Sequence, residues 1–441
     1  MNLSEPQPLF ASSPTVHNRL SFSQASTRMT RALQILGVSL LPLVFLGSLR
    51  SISPVEFSKL DPAVLSSPLS SPPIPGAVSH RSGGQKKSKP RDQIRKIGGQ
   101  AIRNVEILEE GILEVKYKRG GKENTVPSDE VLSIEWKPVP DAFQRAALAE
   151  ERQEYHLAAN LYEDAASATN RAPLKTACEF RAAKALAFHA LGNPSQADAA
   201  VSSLKAWIQK NPSHRNTPLG LKLLGDVLLL AQKPKEALAE FDKLDKLSNE
   251  KSLSPAWSAR GTFGKARALV QMKDFQKARG AYLAASTSLS SLAKSGDPNI
   301  QALLVAAKVG EGECFIAEGR YKDARRFFSS LRTKASPLSL LAAAAQCGEA
   351  QALFEMGKTE KDKRLLRKAQ VLFSEVSATD IHNSEATAKA RFLLAKLILL
   401  FGKEGEGNDF GVRSTLLLED VALGFPNSTW GMKAQAMLKK K

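Results

Sequence analysis

Residues 154–166 read EYHLAANLYEDAA, in which an alanine is followed four residues later by a bulky side chain. The same arrangement returns in KPKEALAEFDKL (233–244), KDFQKARGAYLAA (273–285) and GRYKDARRFFSSL (319–331). The pairs along the chain are Ala158 with Tyr162, Ala197 with Val201, Ala237 with Phe241, Ala278 with Tyr282, Ala324 with Phe328 and Ala369 with Phe373. Successive alanines lie 39, 40, 41, 46 and 45 residues apart. A repeat of this length predicts stacked helix pairs, because one pair has an apolar face that it cannot bury alone.

A second series of small residues precedes these alanines, in the segment that we assign to the first helix of each pair. Its members are Ala146, Ala185, Gly225, Ala266, Gly312 and Ala350. Small residues let two helices approach closely, and the bulky residue of the second helix then fills the gap at the next layer. Breaks between the two helices are predicted at Gly192, Gly319 and Gly357.

These stretches resemble tetratricopeptide repeats (TPR), whose second helix carries the same ladder of turn residue, aromatic, alanine and aromatic residue. The resemblance covers roughly residues 138–400 and implies a mostly α fold, a TPR-like α-solenoid, which we extend over residues 138–441. The repeats and their loops are longer than the family's period of about 34 residues. The C-terminal stretch GFPNSTWGMKAQAML (424–438) is similar to the last helix start of TPR proteins that assist outer-membrane assembly or cell-wall machinery in the bacterial envelope.

The resemblance also implies that a partner binds on the concave surface, which the first helices line. Matching the family's pattern to this chain gives a set of inward-facing candidates for partner binding. They are His189, Lys222, Asp226, Arg260, Arg267, Glu313 and Gln351. Arg260 and Arg267 are seven residues apart, two turns along one helix face, and we expect the basic candidates to clamp a carboxylate of a bound peptide. The alternative for every candidate is an ordinary solvated helix face.

Residues 92–137 change from the helical period to a period of two, which is typical of half-buried strands. The alternating apolar residues are Val105 and Ile107, then Leu113, Val115 and Tyr117, and then Leu132, Ile134 and Trp136. Gly98-Gly99 and Gly120-Gly121 supply turns, because glycine accepts a positive φ. Four or five short strands predict a small SH3-like or Sm-like β barrel, which resembles the β domains that precede helical repeats in some bacterial envelope proteins. We expect it to cap or dock the repeats; binding of a peptide or nucleic acid is the alternative.

Residues 1–50 are predicted to be a signal peptide or a signal anchor. Within them, residues 33–49 (LQILGVSLLPLVFLGSL) carry no charge, and they lie between Arg31 and Arg50. A basic start and a short apolar run are typical of a secretory signal, although no A-x-A-like cleavage triplet follows. A spanning helix needs about 17–25 apolar residues, so an anchor stays open. A start at Met29 gives a more compact signal, which suggests an upstream extension; a merely apolar or buried segment is the alternative.

Residues 51–91 are predicted to be a linker, because they are rich in serine and are interrupted by seven prolines. Such a segment cannot bury enough apolar surface to offset its ordering entropy. Its end is basic, with Arg81, Lys86, Lys87, Lys89, Arg91, Arg95 and Lys96. We expect a solvated tether; contact with an anionic lipid, polymer or nucleic acid is the alternative. No aromatic residues interleave the basic ones, which argues against a base-stacking surface.

The composition and the motif search favour a binding protein over an enzyme. The chain has 441 residues, of which 43% are hydrophobic and 24% charged, and its formal net charge of +18 favours acidic partners. No zinc-hydrolase, C-x-x-C or nucleophile motif is present, and Cys178, Cys314 and Cys347 are expected in helix interiors. Gly264-Lys265 lacks the first glycine and the hydroxyl residue of a phosphate loop. We predict no enzyme activity, no cofactor and no metal site.

These features together suggest a non-enzymatic TPR scaffold that mediates protein–protein interactions in the bacterial cell envelope or periplasm. The partner is expected to be a protein or peptide in the repeat groove, with membrane association through residues 33–49 and nucleic acid disfavoured. Two alternatives stay open. One is a structural protein that binds the cell wall or another anionic polymer, and the other is a regulatory accessory subunit of an envelope enzyme.

Overall fold

The computed structural model describes residues 89–380, 384–403, 409–426 and 428–439. The predicted signal peptide or anchor (1–50) and nearly all of the predicted linker (51–91) lie outside the described residues. Within the described part, five strands are followed by fifteen α-helices. None of these helices combines the length and the apolar character that crossing a membrane requires.

The strands form one antiparallel sheet in the order β4-β3-β2-β1-β5. Their bounds are β1 (Asp92–Lys96), β2 (Ala101–Glu110), β3 (Glu114–Arg119), β4 (Lys122–Pro127) and β5 (Val131–Glu135). Strand β2 pairs with β1 through its first half and with β3 through its second half. Gly98 and Gly99 turn the chain between β1 and β2 with φ values of 92° and 88°, as the sequence predicts. The inward side chains Ile94, Val105 and Val115 are fully buried, so the predicted small β module is present.

The helices follow the β module in an uninterrupted alternation of first and second helices. Their bounds are α1 (Asp141–Glu151), α2 (Tyr155–Ala168), α3 (Ala172–Gly192), α4 (Ala197–Lys210), α5 (Thr217–Leu230), α6 (Pro234–Glu250), α7 (Pro255–Gln271), α8 (Phe275–Leu292), α9 (Pro298–Ala317), α10 (Tyr321–Lys334), α11 (Leu340–Glu360), α12 (Lys363–Thr379), α13 (Glu385–Lys403), α14 (Phe410–Gly424) and α15 (Thr429–Leu438). Each first helix packs against its own second helix, which packs against the next first helix. The described helices thus make seven pairs, with α15 closing the stack, and the predicted TPR-like α-solenoid is confirmed.

The helix starts follow from local sequence. Proline occupies the first turn of several helices, where its missing N–H is not needed, as at Pro255 and Pro298. Side-chain oxygens cap other helices. Asp297 accepts a hydrogen bond from the N–H of Asn299 at the start of α9, and Ser339 accepts one from Ala342 at the start of α11.

The alanine and bulky residues of the second helices form the core of each repeat. All twelve residues of the six predicted pairs are buried. Phe328 of α10 lies between Gly312 of its own first helix and Gly348 of the next first helix, α11. A methyl group added at Gly348 would lie 2.5 Å from two carbon atoms of the Phe328 ring. Glycine is therefore required there for close approach of the helices.

The same contact recurs in neighbouring repeats. Phe241 lies against Gly225 of its own first helix and Gly264 of the next, and Tyr282 lies against Gly310 of the next. The small residue in the bulky residue's own repeat follows from the sequence pattern, whereas the small residue on the next first helix does not. Gly264 belongs to this packing inside α7, which is incompatible with a phosphate-binding loop.

A seventh pair and one helix boundary differ from the sequence predictions. Ser414 and Leu418 of α14 are fully buried and take the places of the alanine and the bulky residue. The pattern was missed because serine replaces alanine there. The predicted break at Gly357 is wrong, since α11 continues to Glu360. A methyl group at Gly357 would lie 2.8 Å from the Leu366 side chain, so this glycine permits a close contact with α12 instead.

The β module packs directly on the first repeats. Ala165, Leu174 and Ala177 of α2 and α3 belong to the same apolar core as the buried strand residues. Asp92 at the start of β1 is fully buried, and its carboxylate accepts hydrogen bonds from the Lys137 N–H and from the Arg171 guanidinium at the start of α3. A shared core and a buried ion pair agree with the expectation that the module caps the repeats.

A second buried polar contact joins the end of β2 to the loop between α4 and α5. The Glu110 carboxylate lies 3.7 Å from His214 Nε2 and 3.6 Å from the Arg215 guanidinium. The N–H of Asn216 donates to His214 Nδ1 at 3.0 Å, which turns Nε2 toward Glu110. Burial alone would raise the pKa of Glu110, but His214 and Arg215 outweigh burial and hold this pKa below its ordinary value.

Glu110→Gln is expected to lower the free energy of unfolding at pH 7 by about 1–2 kcal/mol, because it leaves Arg215 without its buried counter-charge. A carboxyl group whose folded pKa is lowered contributes stability above its unfolded pKa, and that contribution is lost as the pH falls through the folded pKa. Thermal unfolding of both proteins from pH 7 to below the ordinary glutamate pKa of 4.5 should therefore show the difference shrinking in acid. A difference that stays constant with pH would contradict this role.

Candidate partner-binding face

The candidate face consists of the exposed sides of the first helices α3, α5, α7, α9, α11 and α13 together with α15, and we call it the first-helix face. From α3 onward, each of these helices contacts the next one in the row, more closely than successive second helices contact each other. The stack therefore curves toward the first helices, and the first-helix face is its inner side.

Three of the predicted candidates meet between α5 and α7, where they are largely buried beneath this face. Asp226 of α5 is 1% exposed, and its carboxylate accepts a hydrogen bond from the Arg267 guanidinium of α7. Lys222 lies one turn before Asp226, and its Nζ is 3.3 Å from Asp226 Oδ2. The Asp226 carboxylate therefore pairs with both Lys222 and Arg267, and this cluster braces α5 against α7.

Arg260 lies in a different environment from Arg267. Its guanidinium is 4.9 Å from the centre of the Trp257 ring, a cation–π contact. It also lines an open cleft of about 430 Å3 together with Asp297 and Ile300 at the start of α9. The two arginines share a helix face as predicted, but the structure does not place them in one common clamp.

His189 lies on α3 near the N-terminal end of the face. Its ring is half-buried, and its centre is 5.3 Å from the centre of the His156 ring of α2. The His189 ring therefore contacts His156 rather than the charged cluster around Asp226.

Glu313 and Gln351 lie toward the C-terminal end of the face. Glu313 Oε1 of α9 is 2.6 Å from Lys389 Nζ of α13, so this ion pair crosses over the intervening helix α11. Burial alone would lower the pKa of Lys389, but Glu313 outweighs burial and raises it. Gln351 of α11 has a buried side-chain oxygen without a hydrogen-bond partner among the described residues.

A cluster of lysines and aromatic rings completes this end of the face. Lys389, Phe392 and Lys396 lie on successive turns of α13, and Trp430 and Lys433 lie on α15. The ring centres of Phe392 and Trp430 are 5.4 Å apart. We call these five residues the lysine–aromatic cluster.

The lysine–aromatic cluster was not predicted from the sequence. The family pattern extends only to about residue 400, which leaves out α15, and the last repeat has no alanine followed by a bulky residue. The spacing of Lys389, Phe392 and Lys396 by three and four residues places them on one helix face, and this signal was available in the sequence.

The metal-ligating residue types and the cysteines of the described part of the chain bear on whether it holds a metal site or a reactive thiol. No group of three or more His, Cys, Asp or Glu side chains within the described ranges is arranged to hold a metal ion. The three cysteines are buried, and burial raises the pKa of Cys178 to about 11 and those of Cys314 and Cys347 to about 12. Such thiols stay protonated near neutral pH and are poor nucleophiles.

Comparison of the sequence with protein-family models and with curated proteins found no match. Solved structures with related repeats were found. A tetratricopeptide repeat protein from Parabacteroides merdae is 14% identical, with 68% of this chain and 96% of that chain covered and a TM-score of 0.44. The apo form of RapI is 14% identical, with 68% and 98% covered and a TM-score of 0.40. NprR in complex with its cognate peptide NprX is 11% identical, with 67% and 81% covered and a TM-score of 0.41. Similarities this distant carry no information about a ligand of this chain.

Proposed function

We propose that this chain is a non-enzymatic scaffold that holds a segment of a protein partner against its first-helix face. The observation that carries the proposal is a row of preformed helices whose inner side is cross-braced by ion pairs between different first helices. These pairs are Asp226 with Arg267, and Glu313 with Lys389 (2.6 Å). A rigid surface loses little conformational entropy when a partner binds, so more of the contact energy is available as affinity.

The proposal places the scaffold in the bacterial cell envelope, because residues 33–49 have the pattern of an export signal or anchor. The charge of +18 favours the first alternative, a protein that binds an anionic wall polymer through long-range attraction. Such binding is lost at moderate salt, whereas a partner held by packed contacts on the first-helix face is less sensitive to salt.

Site-directed photo-cross-linking in native cells tests both the face and the location. A photoreactive residue is placed at His189 of α3 or Lys396 of α13 on the first-helix face, and at Lys235 of α6 or Leu283 of α8 on second helices as matched controls. We expect discrete protein adducts from the first-helix positions, found in the envelope fraction and retained when salt is raised. Adducts from the second-helix positions alone, or from all four positions equally, would contradict the proposed face. Adducts confined to the cytosolic fraction would contradict the envelope location.

A further inference from the structure

We infer that the lysine–aromatic cluster on α13 and α15 is a binding site for an acidic segment of a protein partner. This inference rests on the proposed function and adds to it the chemistry of the bound segment. It also names a part of the first-helix face, its C-terminal end, that the family pattern in the sequence did not reveal.

The cluster holds three ammonium groups around two aromatic rings. Lys433 Nζ lies 4.2 Å from the centre of the Trp430 ring, and Lys389 Nζ lies 5.7 Å from it. Lys396 Nζ lies 6.0 Å from the centre of the Phe392 ring. A ring positions an ammonium group through its quadrupole without neutralising the charge. Lys396 and Lys433 are therefore positioned by contacts that leave their positive charge available, whereas Lys389 is buried and pairs with Glu313.

Among the described residues, the charge of this cluster is only partly balanced. Glu313 pairs with Lys389, and the carboxylate of Glu385 at the start of α13 also acts on the cluster. Lys396 and Lys433 are exposed. Desolvation by its neighbours in the cluster, followed by repulsion from Lys389, lowers the pKa of Lys433 although the residue is exposed. A carboxylate brought by a partner would relieve this repulsion.

The geometry favours carboxylates over nucleobases. Phe392 is 6% exposed, and Lys433 covers the Trp430 ring. Because Phe392 is buried and Lys433 lies against the half-buried Trp430 ring, the cluster does not present the exposed aromatic platform on which single-strand binding proteins stack bases. Lysine ammonium groups act as point charges with three donors, which suits side-chain carboxylates spaced along a peptide.

Glu313 competes with the proposed ligand for the ammonium group of Lys389. Its carboxylate contacts Lys389 in the way that we infer for a ligand carboxylate, and its side chain is 38% exposed, so a ligand carboxylate at the surface competes with it. Removing this charge should strengthen binding of an acidic segment, whereas removing lysine charges should weaken it. Opposite effects of these substitutions would not arise from a loss of folding.

The test uses the full chain and a fluorescein-labelled peptide of glutamate, serine and glycine, compared with the same peptide in which glutamine replaces every glutamate. Fluorescence anisotropy gives the dissociation constants. Lys396→Gln and Lys433→Gln are each expected to weaken binding about 3–10-fold, and Glu313→Gln to tighten it about 2–5-fold, as expected for cation contacts of modest strength. Lys235→Gln on α6 removes the same charge away from the cluster and is the matched control. Thermal unfolding verifies that every variant is folded.

The possible outcomes show separately whether the inference or the proposed function fails. Equal weakening by Lys235→Gln and Lys433→Gln would overturn the inference, since the general charge or the basic linker would then bind the peptide. Tighter binding of a single-stranded oligonucleotide that depends on Lys396 and Lys433 would also overturn it. If the acidic peptide does not bind but first-helix cross-links persist, the inference fails and the proposed function stands. If the peptide binds as expected but cross-links are absent from the face, the proposed function fails.

Discussion

Gly348→Ala is expected to destabilise the wild-type protein by about 1–3 kcal/mol and to stabilise the Phe328→Ala variant by up to about 1 kcal/mol. The two opposite signs have one cause. Gly348 lies inside α11, where alanine is intrinsically the better helix former, but its missing side chain leaves room for the Phe328 ring. The added methyl group would lie 2.5 Å from two ring carbons, and the fully buried ring has no space into which it can move.

Phe328→Ala alone is expected to cost about 3–5 kcal/mol, because it removes a fully buried aromatic side chain and leaves a cavity between α9, α10 and α11. In that background, the methyl group of Gly348→Ala enters the cavity, and the gain in helix propensity is no longer opposed. Urea or guanidinium unfolding of the four proteins gives the coupling energy directly.

Gly280 provides the control, since it lies inside α8 with nothing within 4 Å of an added methyl group. Gly280→Ala is expected to stabilise the protein slightly in either background. If Gly348→Ala were neutral or stabilising with Phe328 present, the ring would have to be more mobile than the close packing of these helices allows.

The repeats could be predicted from the sequence because their packing uses short-range spacing. Ala324 and Phe328 are one helical turn apart, so both fall on the same buried face wherever the helix is placed. The contact of Phe328 with Gly348 was not predictable in the same way, since it depends on how the next pair stacks. The break expected at Gly357 failed for a similar reason, because a glycine in a tight helix crossing resembles a glycine at a helix end.

The charge pairing within the candidate face was not predictable from the sequence. The family pattern predicted Asp226 and Arg267 as inward-facing candidates, and the structure pairs them with each other as largely buried side chains. Their pairing joins residues 41 positions apart, and the pairing of Glu313 with Lys389 joins residues 76 apart across another helix. Such partners follow from the curvature of the stack, which the sequence spacing does not specify. Lys222 and Arg267, which the sequence suggested as cations available to a ligand, are therefore paired within the chain. The exposed Lys396 and Lys433 lie on α13 and α15.

Asp226→Asn is expected to destabilise the protein by about 3–5 kcal/mol, although it changes the side-chain volume very little. The reason is that Arg267, whose side chain is 9% exposed, and Lys222, at 12%, would lose the carboxylate that balances them in the interior of the first-helix face. Removing one partner of a buried ion pair costs far more than the pair contributes as a whole, because the remaining charges stay out of water. Chemical denaturation at pH 7 measures the loss.

Two further variants show whether the loss of stability in Asp226→Asn comes from unpaired buried charges or from the substitution itself. Asp198→Asn removes a carboxylate that pairs with Lys233 on the surface, where its side chain is 80% exposed, and it is expected to leave stability nearly unchanged. Replacing Lys222, Asp226 and Arg267 together by apolar residues of similar size should recover most of the stability lost in Asp226→Asn, since no unpaired charge remains buried. If the triple variant were as unstable as Asp226→Asn, the cluster would stabilise the stack through its hydrogen bonds rather than through mutual neutralisation. A stable triple variant would keep the helices of the inner face but lose the ion pair between α5 and α7. Partner binding by this variant would show whether that ion pair is required.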